Sequence, residues 1–204
     1  LATADAKTAH GLIRGTERFS IVGVIDPISC GKDAGEIIDG RPRNIPVFES
    51  LGTFLEHHRQ KPDYCIIGVA LSGGRLPEDW NDILLEVLNA RINLIGTMHQ
   101  LLSEKPVLRA AARKNGVEII DLRKPKPIDQ LHFWSGKIFK VRAAKIAVLG
   151  MDCAIGKRTT TRIITEMCRQ EGIRTDMIYT GQTGWLQGYQ HGLIFDATLN
   201  DFVS

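Results

Sequence analysis

Short, solid apolar runs recur along this chain, and each is joined to the next by a stretch with helical spacing. That alternation constrains the fold more than any other feature. Ser20-Ile21-Val22-Gly23-Val24-Ile25 is one such run and ends at Asp26-Pro27; others occupy 64–69, 92–95 and 117–120. Between them, residues 4–14 carry Ala6, Ala9, Leu12 and Ile13 at helical spacing, Ser50 is placed to cap a helix over 51–59, and helices are expected over 77–90 and 104–114. Ile45-Pro46-Val47 is expected as a short edge strand, because proline cannot donate to a central ladder. Strands that are apolar throughout, rather than alternating, are buried on both faces and belong to parallel sheets. Right-handed crossovers then predict an α/β, doubly wound, Rossmann-like layer. Leu1-Ala2-Thr3 reads as the end of a strand that begins earlier.

The rhythm breaks over 121–143, where Pro125, Pro127 and Gly136 mark a crossing loop. It resumes at Lys145 with an expected strand at 146–149, a loop at 150–156, a helix at 157–170, a strand at 175–179 and an apolar piece at 193–195. The stretch 145–204 is shorter than the roughly 100 residues or more that such a domain usually needs. The expected organisation is a Rossmann-like domain over 1–122, a linker over 123–143, and the start of a truncated P-loop NTPase-like α/β domain over 144–204.

Composition excludes several classes. Of 204 residues 43% are hydrophobic and 24% charged, so the chain can bury a core. The net charge of +3 is small and the basic residues are scattered, which argues against a nucleic-acid partner. The basic cluster Arg123-Lys124-Pro125-Lys126-Pro127 reads as a solvated loop. No apolar run approaches the roughly 18 residues of a membrane span, and no signal-peptide pattern opens the chain. Cys30, Cys65, Cys153 and Cys168 form no CxxC or zinc spacing. A cytoplasmic protein without a resident metal is expected, acting on a small molecule as a homo-oligomer.

The chemistry points to Gly150-Met151-Asp152-Cys153-Ala154-Ile155-Gly156-Lys157-Arg158-Thr159-Thr160. Glycines allow successive backbone N–H groups to face an anion, the helix starting near Lys157 adds its positive end, and lysine supplies a point charge. The strand–loop–helix context of a phosphate loop is expected around it. Two departures from G-x-x-x-x-G-K-[ST] stand out. Met151 occupies the first-glycine place, with Gly150 one position earlier, a form that resembles the loop of dethiobiotin synthetase. Arg158 stands where a Ser or Thr would hold Mg²⁺; Thr159 or Thr160 could substitute. Phosphate binding follows from the pattern, and Mg²⁺-dependent phosphoryl transfer is put in question. Cys153 could be a nucleophile or a small packing residue.

Other candidates lie after expected strands, where ligands bind in open α/β sheets. Gln182 and Thr183, in Gly181-Gln182-Thr183-Gly184-Trp185, could touch substrate; Trp185 could stack on adenine or cover the core. Asp196, Asn200 and Asp201 could bind an amine or a metal, or form a cap and turn. His99 is a candidate general base. Ser72-Gly73-Gly74-Arg75 could form an anion nest or a plain turn. Arg123, which follows Asp121, could clamp a carboxylate or form a weak surface pair. Lys7 and Thr8 could face the same crevice.

The long loop at 150–160, Tyr179-Thr180-Gly181-Gln182-Thr183-Gly184, Asp196-Ala197 and Asn200-Asp201-Phe202-Val203 resemble a two-domain family long regarded as of unknown function. Ala6-Lys7-Thr8-Ala9, Val24-Ile25-Asp26, Ile67-Gly68-Val69-Ala70, Ser72-Gly73-Gly74, His99 and Asp121-Leu122-Arg123-Lys124-Pro125 extend the resemblance to the first half. Its members carry a Rossmann-like N-terminal domain and a P-loop C-terminal domain, and some are D-glutamate N-acetyltransferases of the DgcN type. The resemblance implies an N-acetyltransferase using acetyl-CoA on an acidic amino acid. In that reading the loop holds the phosphates of the cofactor, and Arg123 and Gln182 hold carboxylates. Arg158 is compatible, since acetyl transfer moves no phosphoryl group. The alternatives are an ATP- and Mg-dependent kinase or ligase and a non-catalytic nucleotide sensor.

Overall fold

The protein is described from a computed structural model, which covers residues 1–152 and 155–198. The chain divides into two compact units: the first holds 1–124 together with 186–188, the second 125–185 and the residues from 189 onward.

In the first unit a 3-10 turn, Ala4–Ala6, leads into α1 (Lys7–Ile13). Strand β1 (Val24–Ile25) runs parallel to β2 (Val47–Phe48), with α2 (Ala34–Asp39) between them. Helix α3 (Leu51–His57) begins at a capping box: the Ser50 hydroxyl accepts from the Thr53 N–H and the Thr53 hydroxyl from the Ser50 N–H. Strands β3 (Tyr64–Ile66), β4 (Asn93–Gly96) and β5 (Ile119–Asp121) form a parallel three-stranded sheet in the order β3-β4-β5. Their crossovers are α4 (Trp80–Asn89) and α5 (Pro106–Asn115).

The core follows from helical spacing. Leu84, Val87 and Leu88 of α4 and Leu108 and Ala112 of α5 lie at i, i+3 and i+4 positions and are buried in one cluster with Ile92 and Leu94. Full burial of each large side chain contributes roughly 1.5–3 kcal/mol. A smaller cluster of Ile13, Ala34, Ile45 and Val47 packs around β1 and β2.

In the second unit α6 (Lys157–Gln170) is the longest helix among the described residues. Strand β6 (Ile178–Tyr179) pairs in parallel with β7 (His191–Gly192). Helix α7 (Gln182–Leu186) follows β6.

Several strands are shorter than the apolar runs that signal them. The run 20–25 contributes only its last two residues to a ladder, and Val22 is 43% exposed. The edge strand starts one residue past Pro46, which offers its carbonyl to the Val24 N–H (3.0 Å) and has no N–H to give. The expected strand at 146–149 makes no ladder, and Leu149 is 85% exposed. Among the described residues it pairs with no strand, and β6 pairs with β7. The strand His191–Gly192 immediately precedes the apolar piece at 193–195. Every named ladder is parallel, and the architecture is α/β.

Candidate functional site

The glycine loop delivers Gly156 to the N-cap of α6 in a left-handed conformation, φ +96°, which an L side chain resists. The N-cap residue, a glycine, makes no side-chain cap bond to the first-turn N–H groups. Lys157 folds back, and its ammonium donates to the carbonyl oxygen of Asp152. A cation held at an open helix N-terminus is the charge pattern that attracts phosphate. Gly150, Asp152 and Ile155 are exposed, and Arg158 is half-buried beside exposed Thr159 and Thr160. One turn further, the Thr161 hydroxyl donates to the Lys157 carbonyl (2.9 Å) and the Thr165 hydroxyl to the Thr161 carbonyl (2.8 Å). Those hydroxyls serve the helix backbone, which leaves Thr159 and Thr160 as the surface hydroxyls of the first turn. Cys153 and Ala154 lie outside the described residues.

In the first unit, a pocket of about 440 Å³ opens where β3, β4 and β5 end. It is lined by Lys7, Gly74, Thr97, His99 and Arg123, among others. The Arg123 Nε donates to the Thr97 carbonyl (2.9 Å), and its Nη1 lies 2.8 Å from His99 Nε2. A guanidinium only donates, so Nε2 is the acceptor and Nδ1 carries the imidazole hydrogen. Thr97 is anchored in turn, its hydroxyl donating to the Ile67 carbonyl (2.9 Å). The turn Ser72–Gly74 forms another wall.

Asp121 has a structural task. Its carboxylate accepts the N–H groups of Leu102 (2.9 Å) and Ser103 (2.8 Å), ordering the turn after β4. Gln182 and Thr183 fall in the first turn of α7 at the end of β6, and both are buried. Sequence reading placed them in a loop; the chain instead turns directly into helix there, with the Gly184 N–H bonded to the Gly181 carbonyl (3.0 Å). Asp196 is exposed in the turn Phe195–Ala197. Asn200 and Asp201 lie outside the described residues. The structure thus brings Lys7, His99 and Arg123 together in the first unit and Asp152, Gly156 and Lys157 together in the second. Gly74 and Thr97, as pocket walls, were not singled out individually by sequence; their place at strand ends was the available signal.

These features define a class: a two-domain α/β protein with a Rossmann-like domain followed by a P-loop domain. Residues 28–125 match the family model described as the Rossmann-like domain of DUF1611, a domain of unknown function, and residues 132–204 match that family's P-loop domain. Together these cover most of the chain, and the chain belongs to this family. A crystal structure of a DUF1611 family protein from Anabaena variabilis superposes with a TM-score of 0.85 at 32% identity, covering 98% of this chain and 56% of that one. Two relatives named D-glutamate N-acetyltransferase are similar over 139 residues, 68% of this chain: one from a Pseudoalteromonas species at 28% identity, one from Tritonibacter scottomollicae at 30%. The chain spans 40% of the length of each of these two. No helix among the described residues is long and apolar enough to cross a membrane.

Proposed function

We propose that this chain belongs to an acetyl-CoA-dependent N-acetyltransferase acting on an acidic amino acid of the D-glutamate kind. The observation that carries the reading is Lys157 at the uncapped N-terminus of α6, in a chain whose relatives bear that activity's name. The phosphates of coenzyme A would sit against the first-turn N–H groups and Lys157, and Arg158 in the metal-ligand place costs such a site nothing. In the reaction the free amine attacks the thioester carbonyl, the C–S bond breaks, and the coenzyme thiolate leaves. The proton lost by the amine balances the one the thiolate takes up. Gln182, Thr183, Asp196 and Asp201 remain proposed substrate contacts.

Thermal shift separates this reading from a Mg²⁺-dependent ATP enzyme, because only a ligand that binds the folded state raises stability. Acetyl-CoA is expected to raise the melting temperature without Mg²⁺, and Lys157→Ala to abolish the rise. Release of free thiol on adding D-glutamate reads the transfer itself. A shift with ATP that requires Mg²⁺, and none with acetyl-CoA, would sink the proposal.

A further inference from the structure

We infer that the first-unit pocket is a receptor for a small dicarboxylate, with Lys7 and Arg123 as its cationic contacts and His99 as the residue that positions Arg123. The inference deepens the proposed function, on which its choice of an acidic amino acid rests, by placing the acceptor's carboxylates in this pocket.

Size comes first. The pocket's volume of about 440 Å³ lies within the range of roughly 300–1,000 Å³ usual for small-molecule sites. Charge comes second. Among the described residues lining it are two cations, Lys7 and Arg123, and no aspartate or glutamate. The Lys7 ammonium is exposed and has no hydrogen-bond or ion-pair partner among the described residues.

Preorganisation comes third. Arg123 is held from two directions, by the Thr97 carbonyl and by His99. Thr97 is fixed through Ile67, and His99 is backed by Gly74, whose backbone lies so close that a Cβ there would stand 2.6 Å from His99 Cδ2. A guanidinium locked before the ligand arrives loses little side-chain entropy on binding. In this arrangement His99 acts on Arg123, not on a proton of the substrate.

Titrate the full chain, without acetyl-CoA, with D-glutamate, glutarate and D-glutamine by calorimetry. D-glutamate and glutarate are expected to bind, and D-glutamine, which lacks one carboxylate, more weakly. Arg123→Gln and Lys7→Met should each weaken D-glutamate on the order of ten-fold or more, as loss of a charge-assisted hydrogen bond does. His99→Leu should weaken it as well, and His99→Gln, whose amide oxygen can still accept from Arg123, should restore much of the loss. Lys7→Met alters an exposed side chain, so it keeps the test decisive if Arg123→Gln fails to fold. Equal affinity for D-glutamate in Lys7→Met and the parent, or no binding of any dicarboxylate, overturns the inference. If dicarboxylates bind in a Lys7- and Arg123-dependent way but no acetyl transfer is ever seen, the proposed function falls and the receptor stands. If transfer proceeds with unchanged acceptor KM in both variants, the receptor falls and the function stands.

Discussion

Gly74 and Gly73 form a natural comparison within one turn. Both have positive φ, +67° and +76°, but a Cβ at Gly74 would collide with His99 whereas one at Gly73 would meet nothing within 4 Å. Alanine at either position pays the left-handed penalty of about 1–2 kcal/mol. Only Gly74→Ala should also displace the imidazole and with it the Arg123 contact. Urea denaturation is expected to show a loss of stability in both variants, and binding of D-glutamate to weaken in Gly74→Ala alone. Equal binding in the two would show that the imidazole's position does not matter. At this scale the sequence was most informative where one residue type has one use. Lys157 after Gly156 announced itself by chemistry. The job of Asp121 did not, because a carboxylate that caps a turn and one that binds a ligand look identical until the N–H groups of Leu102 and Ser103 are seen in front of it.

Helix α2 shows what a short element needs to hold together. Its N-cap Asp33 accepts the N–H groups of Gly35, Glu36, Arg43 and Ile45. Burial would raise the Asp33 carboxyl, but these four donors together hold it below the usual carboxylate range. At the other end Arg43 grips Asp39 through both oxygens (2.7 and 2.8 Å), and that bond holds the Asp39 carboxyl down at about 2, against an ordinary 3.8. A depressed pKa means that the unfolded state binds more protons in that window. The contribution is therefore fully present above about pH 4 and is lost as pH falls toward 2. A plot of melting temperature against pH should fall less steeply over that interval in Asp39→Asn than in the parent; superimposable slopes would show that the pair contributes nothing. Helices were easier to read from sequence than strands. The helical spacing of 157–170 matches α6 end to end, and Ser50 marks the start of α3. The run 146–149 is as apolar as any strand, but a ladder also needs a neighbour in register, and composition carries no information about neighbours.

On the scale of the whole chain, the α/β class and the order of the two domains could be read from the alternation of runs and the single phosphate-loop pattern. The composition of the first unit could not. Residues 186–188 belong to it, far in sequence from the rest. Leu186 is fully buried, and its carbonyl accepts the Thr16 hydroxyl (2.7 Å). The Gln187 amide donates to the carbonyls of Gly11 (2.8 Å) and Gly15 (3.3 Å), while the Glu17 N–H bonds the Gln187 carbonyl (3.0 Å). Gln187→Ala leaves two carbonyls without this donor and should destabilise the first unit by about 1–3 kcal/mol. Amide hydrogen exchange in α1 measures it, and unchanged protection there would count against the bonds. The same segment also sets an order of events during synthesis. Domains generally fold from the N-terminus as the chain emerges. Here the carbonyls of Gly11 and Gly15 are synthesised 176 and 172 residues before the Gln187 amide that bonds them. The first unit therefore completes its bonding only after residues 125–185 of the second have been made.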